Sequence, residues 1–321
     1  MQREAKISWG LRISPVELER EYLQNDLRFW QGADTVGLCF WIICNAVQFR
    51  VFNKVELSSC NWLFHWHTLP LMLLAALELV ALARAQQWYR RHRLSVMIAL
   101  RLSRTASQLL AYWILQPSDL FKLSGGKETA GVAGFAAALL VLTPLTQMQQ
   151  ALSCLLPFLV MLPVQLAAAA LYFTIYLPKQ LCTLQLIPAL PELAHSWCDA
   201  LAAAMDQCML LLAMLPGASG MASGCGSSRV EALLLILLFF VLLLVLFIPV
   251  AFAFMRELDH KLQYLREQQQ CKVVCAWDAW GLIEGAPPRL FVAAVVLLVP
   301  WQLALAGAAL AMRVLPLGDC A

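Results

Sequence analysis

Long apolar blocks, separated by short polar or basic segments, fill most of this chain. A helix needs about 20 apolar residues to cross the hydrocarbon core of a bilayer. Seven blocks approach that length: Val36–Phe52, Trp62–Ala83, Leu94–Gln116, Ala130–Met148, Leu152–Tyr176, Ala232–Phe254 and Leu290–Met312. Val36–Phe52 is the weakest, because Asn45, Gln48 and Arg50 crowd its second half. Ala232–Phe254 is the strongest, a Leu/Val/Phe run without charge. The polar stretch TPLTQMQQ between the fourth and fifth blocks reads as a short turn.

The flanks have their own pattern. In the N-terminal segment, Ser14, Pro15 and Glu17 mark a helix start, with a cap, a first-turn proline and a capping-box partner. Val16, Leu23, Leu27 and Trp30 then recur near helical spacing, which predicts an amphipathic helix on the membrane or on the cytoplasmic face of the bundle. After Phe254 the chain continues as MRELDHKLQYLREQQQCK, charged and free of Pro and Gly. That composition extends the strong span as a helix into the cytoplasm, with Leu258, Leu262 and Leu265 as an apolar stripe for packing.

Composition makes the same case. Apolar residues are 61% of the chain and charged residues 13%, against roughly 45–50% and 25% in soluble domains. The expected class is an all-α, multi-pass transmembrane helical bundle, and the first partner is the lipid bilayer. A formal charge of +3 is too small to point to nucleic acid.

Charge position sets the expected topology. Arg84, Arg90, Arg91 and Arg93 lie between the second and third spans, and Arg256, Lys261, Arg266 and Lys272 follow the strong one. Cytoplasmic loops collect Lys and Arg, so both segments belong inside. Trp197–Leu215 is long enough to span, but it carries Asp199 and Asp206, and counting it would put the second basic segment outside. The expectation is therefore seven spans, with the N-terminus inside and the C-terminus outside. Four regions follow: a cytoplasmic amphipathic helix at 1–34, five spans at 35–177, an extracytoplasmic excursion at 178–231, and two spans at 232–321 joined by a charged cytoplasmic helix. The excursion holds an amphipathic helix and the Gly/Ser-rich loop PGASGMASGCGSS. Cys60, Cys182, Cys198, Cys208 and Cys225 then share the outer side and are candidates for disulfides of unspecified pairing.

Polar groups inside spans are where function is sought in a membrane protein. Arg101, Arg104 and Gln108 fall at i, i+3 and i+7, on one helix face. Lipid cannot satisfy a guanidinium, so that face looks into the protein or a wet cavity. Arg101 is near enough to the basic loop to snorkel to the headgroups. Arg104 needs a partner, and Glu78 on the preceding span is the candidate, both at depths of roughly 7–15 Å from the same side. The pair fits either a charged lining for an ion or anionic substrate or a structural lock between two helices. Gln302 is the corresponding polar group of the last span.

No GxSxG, HExxH, Walker A or Rossmann glycine pattern occurs, so no catalytic residue, metal or cofactor is expected. A membrane-embedded lipid enzyme would be built from scattered His and Asp such as His195 and Asp199, one turn apart, a pair that reads first as the polar face of the extracytoplasmic helix. The leading expectation is a channel, transporter or receptor, and the alternative is a structural subunit of a larger complex. Small-xxx-small faces at Ala130, Gly134 and Ala138, and at Gly307 and Ala311, suit internal packing or a homo-oligomer. The span count and orientation, with a chain that ends just after its last span, resemble the topology of insect-type gustatory and odorant receptor channels. That resemblance implies a ligand-gated cation channel in which Leu290–Met312 lines a central pore with Gln302 as its polar group.

Overall fold

The computed structural model describes residues 3–8, 10–14, 16–25, 27–52, 61–114, 144–185, 190–213, 225, 228–267, 271–275 and 288–314. It is all-α, about 92% helical. Cys60, most of the block Ala130–Met148 and most of the Gly/Ser-rich loop lie outside the described residues.

The N-terminal segment departs from a simple helix. Strand β1 (Arg3–Ile7) turns back antiparallel onto β2 (Ile13–Ser14), pairing Ile7 with Ile13. Helix α1 (Val16–Asn25) follows. On its other edge β1 pairs in parallel with β3 (Cys271–Cys275), so two segments far apart in the sequence meet in one small sheet. The cause is apolar. Ile7, Leu11, Ile13, Leu18 and Tyr22 are buried together with Leu258 and Leu265, so a folded hook of this chain covers the leucine stripe. Leu11 sits at φ 59° in the turn, a left-handed conformation unusual for a branched side chain.

Helices α2 (Leu27–Phe52), α3 (Asn61–Arg84) and α4 (Gln86–Ile114) pack in sequence order. Asp34, placed by the sequence reading at the end of the N-terminal segment, is in the body of α2. Next comes α5 (Pro144–Ser153). The stretch TPLTQMQQ, expected as a turn, is helical from Pro144 onward, and the chain leaves the helix at 154–157 instead. The break precedes Pro157, which disfavours the helical conformation in the residue before it. Helix α6 (158–185) then runs through Phe158–Leu171, a π turn at Tyr172–Tyr176 and Leu177–Gln185.

The segment after residue 189 forms α7 (Leu190–Ala213), which buries Ala194, Cys198, Ala202 and Met205 and leaves Asp199 exposed. It packs against the first third of α8 (Arg229–Glu267), the central helix, which includes a π turn at Leu242–Phe247. Ser228 caps α8, its Oγ accepting from the Glu231 N–H at 3.1 Å. Helix α9 (Pro288–Val314) packs against α7 and α8. The two π turns share a cause. Pro178 and Pro249 each follow two residues after one, and a proline in a helix removes a donor and crowds the carbonyl four residues back. Widening the turn resolves it: the Leu177 N–H donates to the Tyr172 carbonyl and the Ile248 N–H to that of Leu243, each five residues back.

Among the described residues, two helices are long and apolar enough to cross a membrane, Phe158–Cys182 and Arg229–Glu267. A shorter apolar stretch, Val295–Ala311, lies in α9.

Candidate functional site at a buried helix break

The inner face of α4 is a polar stripe. Tyr89, Arg93, Arg101, Arg104, Thr105 and Gln108 recur at helical spacing, and Leu94, Leu102 and Leu110 occupy the exposed face. Arg93, Arg101 and Arg104 are 7%, 1% and 0% exposed. Guanidinium groups this deep require partners, and the surrounding helices supply some of them.

Helix α2 contributes Asp34, Gly37 and Trp41, at i, i+3 and i+7. The Asp34 carboxylate accepts a bidentate pair from Arg93, Nε to Oδ2 at 2.6 Å and Nη2 to Oδ1 at 2.7 Å. The Tyr89 hydroxyl donates to the same carboxylate at 2.9 Å. Gly37 is where α2 touches the end of α5: a Cβ there would lie 2.0 Å from the Ser153 carbonyl oxygen. One turn on, the Trp41 ring lies 3.9 Å under the Arg104 guanidinium, a cation–π contact.

The break at 154–157 is buried, with Cys154 at 0% and Leu156 at 1% exposure. Irregular backbone in such a place needs every polar group satisfied. The Leu155 carbonyl accepts from Arg93 Nη2 at 2.9 Å. The Pro157 carbonyl accepts from the Val160 and Met161 N–H groups. The Phe158 N–H, first of α6, donates to Glu257 Oε2 of α8 at 2.8 Å. Glu257 in turn pairs with Lys261 at 3.1 Å, and Lys261 reaches Glu19 at 2.9 Å and the Leu11 carbonyl. The break is thus tied through α8 to the N-terminal hook.

The two inner arginines are only partly satisfied. Arg104 Nη1 donates to Cys154 Sγ at 2.7 Å, and Arg101 Nη2 donates to Gln165 Oε1 of α6 at 2.6 Å. The Gln147 side chain of α5 bridges, donating to Gln108 at 2.6 Å and accepting from Thr105 at 3.4 Å. Nε and Nη1 of Arg101, and Nε and Nη2 of Arg104, have no partner among the described residues. Arg101 and Arg104 lie one turn apart on the same buried face of α4.

Glu78 is 6% exposed, and its carboxylate oxygens have no close hydrogen-bond donor among the described residues, the Tyr89 hydroxyl acting on it only at longer range. Arg104 is its strongest favourable charge and Asp34 its repulsive one. The two residues named from the sequence as partners are therefore within electrostatic reach, but no hydrogen bond or close ion pair joins them. Arg104 has turned instead to Trp41 and Cys154.

The structure brings Glu78, Arg101, Arg104 and Gln108 into one neighbourhood. Gln302, half-buried on α9 beside the fully buried Trp301, hydrogen-bonds to none of them. Of the candidate disulfide cysteines, Cys198 is bonded to Cys225, Cys182 is also disulfide-bonded, and Cys208 is a free thiol. His195 and Asp199 are both exposed on α7. No group of three or more His, Cys, Asp or Glu among the described residues is arranged to hold a metal ion.

The sequence reading missed Asp34, Trp41 and Tyr89 and counted Arg93 only as a loop charge. The spacing Tyr89, Arg93, Arg104, Gln108 was the available signal, since it carries the polar face of α4 two turns beyond the expected span. Comparison with protein-family models, with curated proteins and with solved structures finds no match.

Proposed function

We propose that the chain is a multi-pass integral membrane protein of the channel or transporter type, with the arginine-lined helix break as its working centre. The seven spans are α2, α3, α4, the apolar block Ala130–Met148, α6, α8 and α9, with the N-terminus inside and the C-terminus outside. The observation that carries this is polarity turned inside out. Asp34, Glu78, Arg93, Arg101 and Arg104 are buried. Meanwhile Leu69, Leu73, Leu77 and Val80 of α3 are all more than half exposed. In water that arrangement is costly on both counts, whereas a bilayer suits an apolar exterior. The turn at 154–157 joins the fourth and fifth spans; irregular backbone of this kind is tolerated where protein encloses it, and transporters build substrate and ion sites from irregular backbone. The disulfide between α7 and the segment before α8 and the exposed Asp199 suit an extracytoplasmic position for α7.

Purified protein in liposomes provides the test, with ion flux measured under an imposed gradient. Wild type and the exposed-surface variant Arg90→Gln are expected to conduct, and Arg104→Gln to lose most of the flux. Folded wild type that carries no ion in any gradient would remove the transport reading. A structural subunit is the second reading, favoured by the bidentate Arg93–Asp34 lock; it predicts that Arg104→Gln alters only stability.

A further inference from the structure

We infer that Arg101 and Arg104, flanking Cys154 at the helix break, form a binding site for a small monovalent anion, of the size of a halide or formate. The site deepens the transport proposal and rests on its choice of centre, but binding itself requires no membrane.

Three observations converge. First, four guanidinium nitrogens on two side chains, each no more than 1% exposed, have no described partner. A buried unpaired donor is costly, and one attached to a full charge more so. Second, among the described residues the charges of the centre do not balance. Arg93, Arg101 and Arg104 face Asp34 and Glu78, which leaves one positive charge over even with both acids ionised. Asp34 is already consumed by Arg93 in a bidentate pair, and Glu257 and Lys261 neutralise each other. One anion of single charge would close the account. Third, the two guanidiniums are fixed by other contacts: Arg104 by Trp41 and Cys154, Arg101 by Gln165. Their free edges are held ready rather than left to swing. Two guanidiniums one turn apart on the same buried helix face favour an oxyanion or halide over a cation or neutral solute. Trp41 and Cys154 against Arg104, and Gln165 against Arg101, are themselves buried, which suits a guest of a few atoms.

Glu78 then has a role. Its unpartnered carboxylate lies in the field of Arg104 and is a tethered rival for the same positive charge. Departure of the bound anion would leave Arg104 the option of Glu78, which makes release less costly than stranding a bare guanidinium.

Full-length protein purified in detergent with gluconate as the only small anion is titrated with sodium chloride and, separately, sodium formate by calorimetry, at constant ionic strength. Saturable binding near one site per chain is expected. Arg104→Gln and Arg101→Gln are each expected to weaken it at least about tenfold, the effect of losing one charge-assisted contact. Glu78→Gln should tighten it, because the rival charge is gone. A linear, non-saturating response in wild type overturns the site, and so does unchanged affinity in a folded Arg104→Gln protein. If the arginine variants do not fold, wild type and Glu78→Gln decide: saturable binding tightened by that change upholds the site, and its absence removes it. Saturable binding without liposome flux would retain the site and remove transport; flux without chloride or formate binding would do the reverse.

Discussion

Asp34 holds more than its own helix. Its carboxylate takes both Arg93 nitrogens and the Tyr89 hydroxyl, and Arg93 then reaches the Leu155 carbonyl in the break. Removing the acid leaves a buried guanidinium unbalanced, which costs about 3–5 kcal/mol. Asp34→Ala should therefore lower stability by that order in denaturant unfolding of the detergent-solubilised protein. The double variant Asp34→Ala, Arg93→Met should recover a substantial part, because it leaves no lone charge. Equal losses in the single and double variants would contradict this role. These residues were hard to read from sequence for a physical reason. A positive residue beside a basic loop reads as a membrane anchor, and only the tertiary partner shows that it points inward. Arg104 was legible because its depth in an apolar run leaves it no route to water, whereas Arg101, expected to snorkel to the headgroups, is instead buried and bonded to Gln165. Their partners were not, since hydrogen bonds to Cys154 and Gln165 depend on how distant segments pack. Between Glu78 and Arg104 the structure shows an electrostatic influence and no hydrogen bond.

At the scale of elements, the closest helix contact is that of α2 on the end of α5. Gly37 allows it, with a would-be Cβ 2.0 Å from the Ser153 carbonyl oxygen. The obstacle is backbone and cannot rotate away, so Gly37→Ala must push α2 off α5 and carry Trp41 from under Arg104. Overpacking of this kind costs about 1–3 kcal/mol. The expected result is a lowered unfolding midpoint together with reduced chloride affinity, while Gly32→Ala, with open space around it, changes neither. A Gly37→Ala protein with wild-type stability would mean that the two helices are not held this closely. Long apolar blocks made α3, α6 and α8 readable from pattern alone. The α5–α6 junction was misread because polar residues were taken as a turn. Gln147, Gln150 and Ser153 are buried on α5, and it is Pro157, inside an apolar run, that coincides with the break. The N-terminal sheet was invisible for a different reason: its strands are short, and β1 pairs with a segment at the far end of the sequence.

At the scale of the molecule, the decisive element is α8. Its 39 residues would extend about 58 Å at 1.5 Å per residue, nearly twice the roughly 30 Å of a hydrocarbon core. If it crosses a bilayer, its two ends lie on opposite sides. Single cysteines at Arg229 and Glu267, exposed positions at the two ends, are expected to react with a membrane-impermeant maleimide from opposite faces of sealed vesicles, with the labelled peptides identified by mass spectrometry. Labelling of both from one face would refute the crossing. The same helix is fastened at each end. Cys225, three residues before its cap, is bonded to Cys198 of α7, and β3, just beyond its last turn, is stitched to β1. Between these moorings it carries Glu257, which holds the first amide of α6, and a widened turn packed against α5 and α6. In mechanical terms α8 is a tie rod with a built-in flexure: it resists sliding at both ends, and any strain taken up along its length is passed sideways into the helix break.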